Sequence, residues 1–254
     1  MNSIDKEPNY KKIYSFIKEN FEKTNYFSHG AFDETYFSMR VYESSKKIMS
    51  EIKQAINKEV VLVGAILHDI GKIKLKTSIL FKANKITNET RKEWYKHPKL
   101  GVPIAKRFLK QLGHSDEFIT KVSYLIEHHA DRGDKLKNKS IELKILQDAD
   151  LIADIGYSGF IRPFLYSGNF KKQNVIESIK HLSKENRLKN HKINLNISKR
   201  LAKKELAIQN KLSKEIYKNI QSELLNLKLN PPTKYTAFKS SGFKYSTSAT
   251  KLNQ

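Results

Sequence analysis

The chain has 254 residues, 39% hydrophobic and 29% charged, enough for one sizeable domain or two small ones with a real core. No stretch approaches the roughly 18 consecutive apolar residues of a membrane span, and the absence of cysteine excludes disulfides and thiolate metal sites. Against 26 Asp and Glu stand 48 Lys and Arg, for a net charge of +22. Such a balance draws anions: nucleotides, nucleic acid or acidic lipid surfaces. The lysines are spread rather than clustered, however, and abundant Lys and Asn also mark an AT-rich genome. Met1 to Pro8 holds no apolar segment of the secretory kind, so a cytoplasmic protein is expected.

In chain order, residues 9–22 place Ile13, Phe16 and Ile17 on one helical face. A loop with His29 and Gly30 follows. Asp33 then reads as the N-cap of a long helix, with Tyr36, Phe37, Met39, Val41, Ile48, Ile52 and Ile56 as candidates for its buried side. Val61 to Leu67 is apolar on every face and should form a helix in the middle of the core. That run ends in His68-Asp69-Ile70-Gly71-Lys72, where Gly71 is expected to stop the helix.

Residues 73–88 read as a loop with a short apolar piece, Ile79-Leu80-Phe81. Asn88-Glu89-Thr90 can cap a helix carrying Trp94 and Tyr95, broken at His97-Pro98. Pro98 suits the first turn of the next helix, through Ile104, Phe108 and Leu112. Ser115 opens a helix through Phe118, Ile119, Val122, Leu125 and Ile126 into Glu127-His128-His129, ended by Arg132-Gly133-Asp134. A further helix over Ile141 to Gly156 carries Asp148 and Asp150. Tyr157 to Phe164 suggests a short helix and turn, and residues 173–186 and 196–228 look helical. In the last, Ile197, Leu201, Ile208, Leu212, Ile216, Ile220, Leu224 and Leu227 recur mostly at three- and four-residue steps. This is the pattern of a helix lying on its own domain rather than of a coiled coil. From Asn230 the composition is that of a disordered tail. The expected class is all-α, with a helical core and extension over residues 1–228 and a basic tail over 229–254.

The His68-Asp69 pair, the piece His97-Pro98-Lys99-Leu100-Gly101, the element Ile126-Glu127-His128-His129 and the late helix with Asp148-Ala149-Asp150 occur in that order on successive helices. Together they resemble the HD-domain superfamily of metal-dependent phosphohydrolases, over roughly residues 33–164. There is some likeness to its HD-GYP type and to an uncharacterised bacterial and archaeal subfamily with a Gly-rich stretch and Arg after the last Asp, here Gly156 to Phe164. The resemblance implies a helical bundle and a divalent metal site of one or two ions. His68, Asp69, His97, His128, His129 and Asp150 are the implied ligands.

Imidazole and carboxylate suit Mn, Fe, Zn, Co or Ni, and carboxylate-rich sites also admit Mg. Asp69 is the natural bridge between ions and, with Lys72, the expected catalytic pair; Lys72, Arg132 and Arg162 are the cations available to a phosphate. One position departs from the family pattern: the first His, three residues before Arg40-Val41, is Phe37. Asp33, one helical turn earlier, is a candidate substitute ligand, and His29 a weaker one. Two functions follow as expectations. One is hydrolysis of a phosphomonoester or phosphodiester, with nucleotides as the expected substrate class. The other is a degenerate module that binds nucleotide or nucleic acid without cleaving it. The basic segment 196–254 is also a possible nucleic-acid contact.

Overall fold

The computed structural model describes residues 9–24, 26–28, 33–80, 87–132, 136–171, 174–178 and 192–228. The expected tail over 229–254, His29, Phe81, Gly133, Asp134 and most of the 173–186 segment lie outside them. The described residues are all-α, without strands: α1 (Tyr10–Thr24), α2 (Glu34–Ser50), α3 (Lys58–Leu67), a 3-10 turn (Ile70–Lys74), α4 (Thr77–Leu80), α5 (Asn88–Trp94), α6 (His97–Gln111), α7 (Asp116–His128), α8 (Ile141–Ala153), α9 (Gly156–Lys171) and α10 (Asn196–Asn226). No described helix is long and apolar enough to cross a membrane.

Helix α3 is the axis. Every residue from Val60 to Leu67 is buried, and the helix packs against α1, α2, α7 and α8 at once. Complete burial of one such side chain is worth roughly 1.5–3 kcal/mol, so this segment anchors the core. Asn57 caps it, accepting from Val60 N at 3.1 Å. The 3-10 turn that follows lies against α6 and α1.

Helix α2 buries Phe37, Val41, Ile48 and Met49, whereas Tyr36 is exposed and Met39 half-buried. Ile52 and Ile56 fall beyond its end. Its Arg40 donates to the carbonyls of Ala153 at 2.8 Å and Ile155 at 3.1 Å, and to Ser158 Oγ. The guanidinium thereby satisfies carbonyls left open where α8 ends and fixes α8 against α2.

Four local expectations change. Helix α5 is capped by Thr87, one residue before the Asn88-Glu89-Thr90 stretch: Thr87 and Thr90 exchange side-chain and backbone bonds as a capping box. Gly71 does not stop α3, which ends at Leu67; it is required because a Cβ there would stand 2.0 Å from the His97 carbonyl oxygen. The short helix and turn after Gly156 is instead the 16-residue α9, which runs through Pro163. Packing along α10 and the Phe160–Phe164 ring contact at 5.1 Å outweigh the local breaker. Helix α10 lies on α8 and α9 through Ser198, Ala202, Gln209, Ser213 and Tyr217. Its Ile/Leu stripe flanks that line half-buried, with Leu227 exposed.

Candidate metal centre

Three helix ends deliver three histidines to one carboxylate. His68 follows the last residue of α3, His97 opens α6, and His129 follows the last residue of α7. Each ring is turned by the same local bond, from its Nδ1 to the carbonyl three residues back: His68 to Ala65 at 2.8 Å, His97 to Trp94 at 2.6 Å, His129 to Ile126 at 2.7 Å. A carbonyl only accepts, so Nδ1 carries the proton in all three rings. In the neutral imidazole Nε2 is then the lone-pair atom, the tautomer that binds metal through Nε2.

Those three Nε2 atoms gather on Asp69. Oδ1 lies 3.2 Å from His97 Nε2 and 3.5 Å from His129 Nε2, and Oδ2 lies 3.0 Å from His68 Nε2. The His68 contact lacks hydrogen-bond direction, and that nitrogen has no hydrogen-bond partner although it is fully buried. His97 Nε2 and His129 Nε2 face each other at 3.0 Å. Burial pushes the His129 imidazole down to about 4, with the neighbouring His68 and His97 adding to the effect, so it is neutral at cellular pH. Its lone pair therefore points at a second imidazole with both Nδ1 positions already protonated, an arrangement that a cation relieves. Ligand atoms of His68, Asp69 and His129 lie within 4.8 Å of one another, all buried. Nitrogen and carboxylate oxygen in this combination fit a divalent first-row ion.

Charge is matched around the cluster. Burial alone would raise the Asp69 carboxyl, but the charges of His68 and Lys72 overcome it and hold the group well below the usual carboxylate range. Burial would likewise lower Lys72 and His68, and their carboxylate neighbours raise both instead. Lys72 Nζ sits 2.6 Å from Asp69 Oδ2 and 2.9 Å from Glu34 Oε1.

Glu34 is the residue that the sequence reading missed. It is fully buried in the first turn of α2, and burial pushes its carboxyl up despite the Lys72 ammonium beside it. A signal was present: Glu34, Phe37, Val41, Ser45 and Ile48 recur at three- and four-residue steps, the buried face of the helix. Asp33 instead caps α2, accepting from Tyr36 N at 3.2 Å.

The other expected residues are divided. Asp150 directs Oδ1 to within 3.8 Å of His68 Nε2, while its other oxygen is held by Arg132. Arg132 also donates to the Gln147 carbonyl, so its guanidinium positions Asp150 in the structure and is not presented to a ligand. His128 is turned away to Asp131 Oδ2 at 2.8 Å and packs on Tyr124, leaving His129 as the member of the pair at the centre. Asp148 is turned to the segment that leads into α10, accepting from Asn194 N at 2.8 Å and Leu195 N at 2.9 Å. Arg162 of α9 lies 4.1 Å over the Phe37 ring, bonds Asp154 at 2.6 Å and reaches within 3.8 Å of Glu34. Phe37 itself is buried with its ring 6.1 Å from that of His68.

Residues 38–154 match the family model described as HD domain. Among solved structures, YpgQ of Bacillus subtilis is 19% identical with a TM-score of 0.55, over 83% of this chain and 96% of its own. The same protein in complex with ADP gives 19% and 0.55, over 83% and 97%. A "predicted HD superfamily hydrolase" from an uncultured Thermotogales bacterium is 20% identical with a TM-score of 0.51, over 89% of this chain and 99% of its own. At these identities the likeness is one of fold. No curated protein matches the sequence.

Proposed function

We propose, starting from a chain that belongs to the HD-domain superfamily, that it is a metal-dependent phosphohydrolase acting on a phosphomonoester or phosphodiester, with nucleotides as the substrate class. The observation that carries the reading is the meeting of His97 Nε2 and His129 Nε2 at 3.0 Å beside Asp69 Oδ1. His68, Asp69, His97 and His129 would hold the metal, with Asp150 beside His68. When bound, a divalent ion polarises a phosphoryl oxygen and lowers the pKa of a coordinated water towards neutrality. Asp69, kept ionised by His68 and Lys72, needs no proton loss to act as a ligand. Lys72, fixed between Asp69 and Glu34, and Arg162, over Phe37, supply positive charge where phosphoryl oxygens gain negative charge. The buried Phe37 ring forms an apolar wall that strengthens those interactions by keeping water out. The nucleotide assignment draws on the net charge of +22 and on the fold shared with a protein solved with ADP.

The test is elemental analysis of the purified chain with a panel of phosphomonoesters, linear and cyclic phosphodiesters and nucleotides in Mn(II) buffer. Asp69→Ala is expected to lose both metal and turnover; full activity in metal-replete buffer refutes the assignment. A second reading, nucleotide or nucleic-acid binding without cleavage, is favoured by Phe37 at the position of the family's first His. Stoichiometric metal with no turnover on any ester selects it, and a steep fall of affinity with salt would show its phosphate contacts.

A further inference from the structure

We infer that the outward face of α10 is a docking surface for double-stranded DNA, held through its phosphates and seated along the major groove. The inference is independent of the metal-dependent reading, since none of the residues that carry it belongs to the metal centre.

Lysines that are spread along the sequence are gathered by this helix on one side. Between positions 199 and 218, every exposed residue of α10 is a cation except Ala207 and Glu215. The lysines are Lys199, Lys203, Lys204, Lys211, Lys214 and Lys218, with Arg200 beside them. At about 100° and about 1.5 Å per residue, the set fills an arc of about 140° and runs for about 28 Å. The acids of the helix lie elsewhere. Glu205 is turned inward against Gly156 at the start of α9, Glu215 stands at the edge of the arc, and Glu223 falls beyond its end. The opposite side packs on α8 and α9.

Other helices of this protein balance their surface lysines. Lys18 pairs with Glu22 on α1 at 3.8 Å, Lys46 with Glu43 on α2 at 3.3 Å, and Lys121 with Glu117 on α7 at 2.6 Å. On α10 the neighbours one turn apart are instead alike: Lys199 and Lys203, Arg200 and Lys204, Lys214 and Lys218. Like charges at this spacing destabilise a helix. Arg200 is paired with Glu51, and Lys199 donates to Asn196 Oδ1 at 3.1 Å. Among the described residues the other five lysines have no ion pair. A polyanion relieves the repulsion that the fold leaves uncompensated.

Shape selects the polyanion. The face is a convex ridge, and the major groove of B-DNA, about 12 Å wide, admits an α-helix between two rows of phosphates. The major groove of duplex RNA is too deep and narrow for side chains to enter. A single strand calls for aromatic platforms, and a lipid surface for apolar side chains beside the cations. Between positions 199 and 218 the exposed face offers neither, only Ala207. Lysine ammoniums meet phosphate as point charges, so no base sequence is selected.

The experiment measures binding of the full chain to a random-sequence DNA duplex by fluorescence anisotropy across salt, beside duplex RNA and phosphatidylserine vesicles. Four α10 lysines are exchanged together, Lys203→Gln, Lys211→Gln, Lys214→Gln and Lys218→Gln. The charge-matched control exchanges Lys58→Gln, Lys92→Gln, Lys106→Gln and Lys110→Gln on other helices. All eight positions are exposed, so neither set disturbs the core, and circular dichroism verifies folding. Wild type is expected to lose about 1,000-fold in DNA affinity between about 50 and 200 mM salt, as for roughly six phosphate contacts. The α10 variant should flatten the log–log salt slope by about 3–4, and the control should keep the wild-type slope. Asp69→Ala should bind DNA as wild type does. Loss of DNA binding in Asp69→Ala places the contact at the metal centre and overturns the inference. An equal loss in the control set reduces the effect to bulk charge and overturns it too. So do an unchanged slope in the α10 variant, duplex RNA bound as tightly as DNA, and vesicles bound more tightly than DNA.

Discussion

Gly71→Ala tests the packing that brings His97 to Asp69. A Cβ at position 71 would stand 2.0 Å from the His97 carbonyl oxygen, 2.5 Å from Gly101 N and 2.9 Å from the His97 carbonyl carbon. All three atoms are backbone of α6, so no rotamer change relieves the overlap. Cβ contacts below 3.0 Å essentially do not occur, and the turn and helix must part by about 1 Å in an interior with little room to absorb it. Overpacking a core costs about 1–3 kcal/mol. Against rigid backbone the upper figure applies, a large part of the roughly 5–15 kcal/mol that holds a domain folded. The same parting carries His97, the first residue of α6, away from Asp69 Oδ1, now 3.2 Å from its Nε2. Metal affinity should fall by about 100-fold. Urea unfolding of chelator-treated protein reads the stability, and calorimetric Mn(II) titration reads the site. Gly113→Ala is the control: φ is +81° and nothing lies within 4 Å of its Cβ. It should cost only the left-handed backbone penalty, about 1 kcal/mol, with metal affinity unchanged. A Gly71→Ala protein within about 0.5 kcal/mol of wild type, with intact metal binding, would refute this account of the turn.

Two further outcomes follow from the same geometry. In the metal-free protein, burial holds His129 at about 4 against an ordinary 6.5, so the unfolded chain binds a proton that the folded chain refuses. The His129 contribution to stability should therefore fall by about 3 kcal/mol as pH drops from 6.5 to 4. His68, raised by Asp69, acts oppositely: its contribution is complete below 6.5 and is lost as pH rises through its folded value. Glu34, whose carboxyl burial raises, also opposes the fall as pH drops, so the slope is read as the difference in urea midpoints between wild type and His129→Gln, and no pH-dependent difference across this range would contradict the buried neutral His129. Asp148→Ala and Asp150→Ala should separate cleanly. The first removes the buried carboxylate that holds Asn194 and Leu195 ahead of α10 and costs about 2 kcal/mol without affecting metal. The second weakens metal binding by about 10–100-fold, and equal effects on metal affinity would refute the division.

Much of the architecture was legible because it is local. An apolar run from Val60 to Leu67 on every helical face has only the core to occupy. Asp33 and Ser115 cap helices where their side chains reach a nearby N–H. The order His68-Asp69, His97, His129, Asp150 is a property of the chain and survives folding. Gly71 and the length of α9 were not legible, since each depends on a helix distant in sequence, α6 for the turn and α10 for α9.

The sequence by itself determined which residue types reach the centre and on which helices they ride. Only the tertiary structure chose between neighbours: Glu34 and not Asp33, His129 and not His128, Asp150 and not Asp148. Adjacent residues on a helix point about 100° apart, so a one-residue choice depends on how each helix is rotated about its axis. That rotation is set by what it packs against: Arg40 locking α8, Gly71 admitting α6, Lys72 drawing Glu34 to Asp69. Those partners lie far along the chain, and no local pattern contains them.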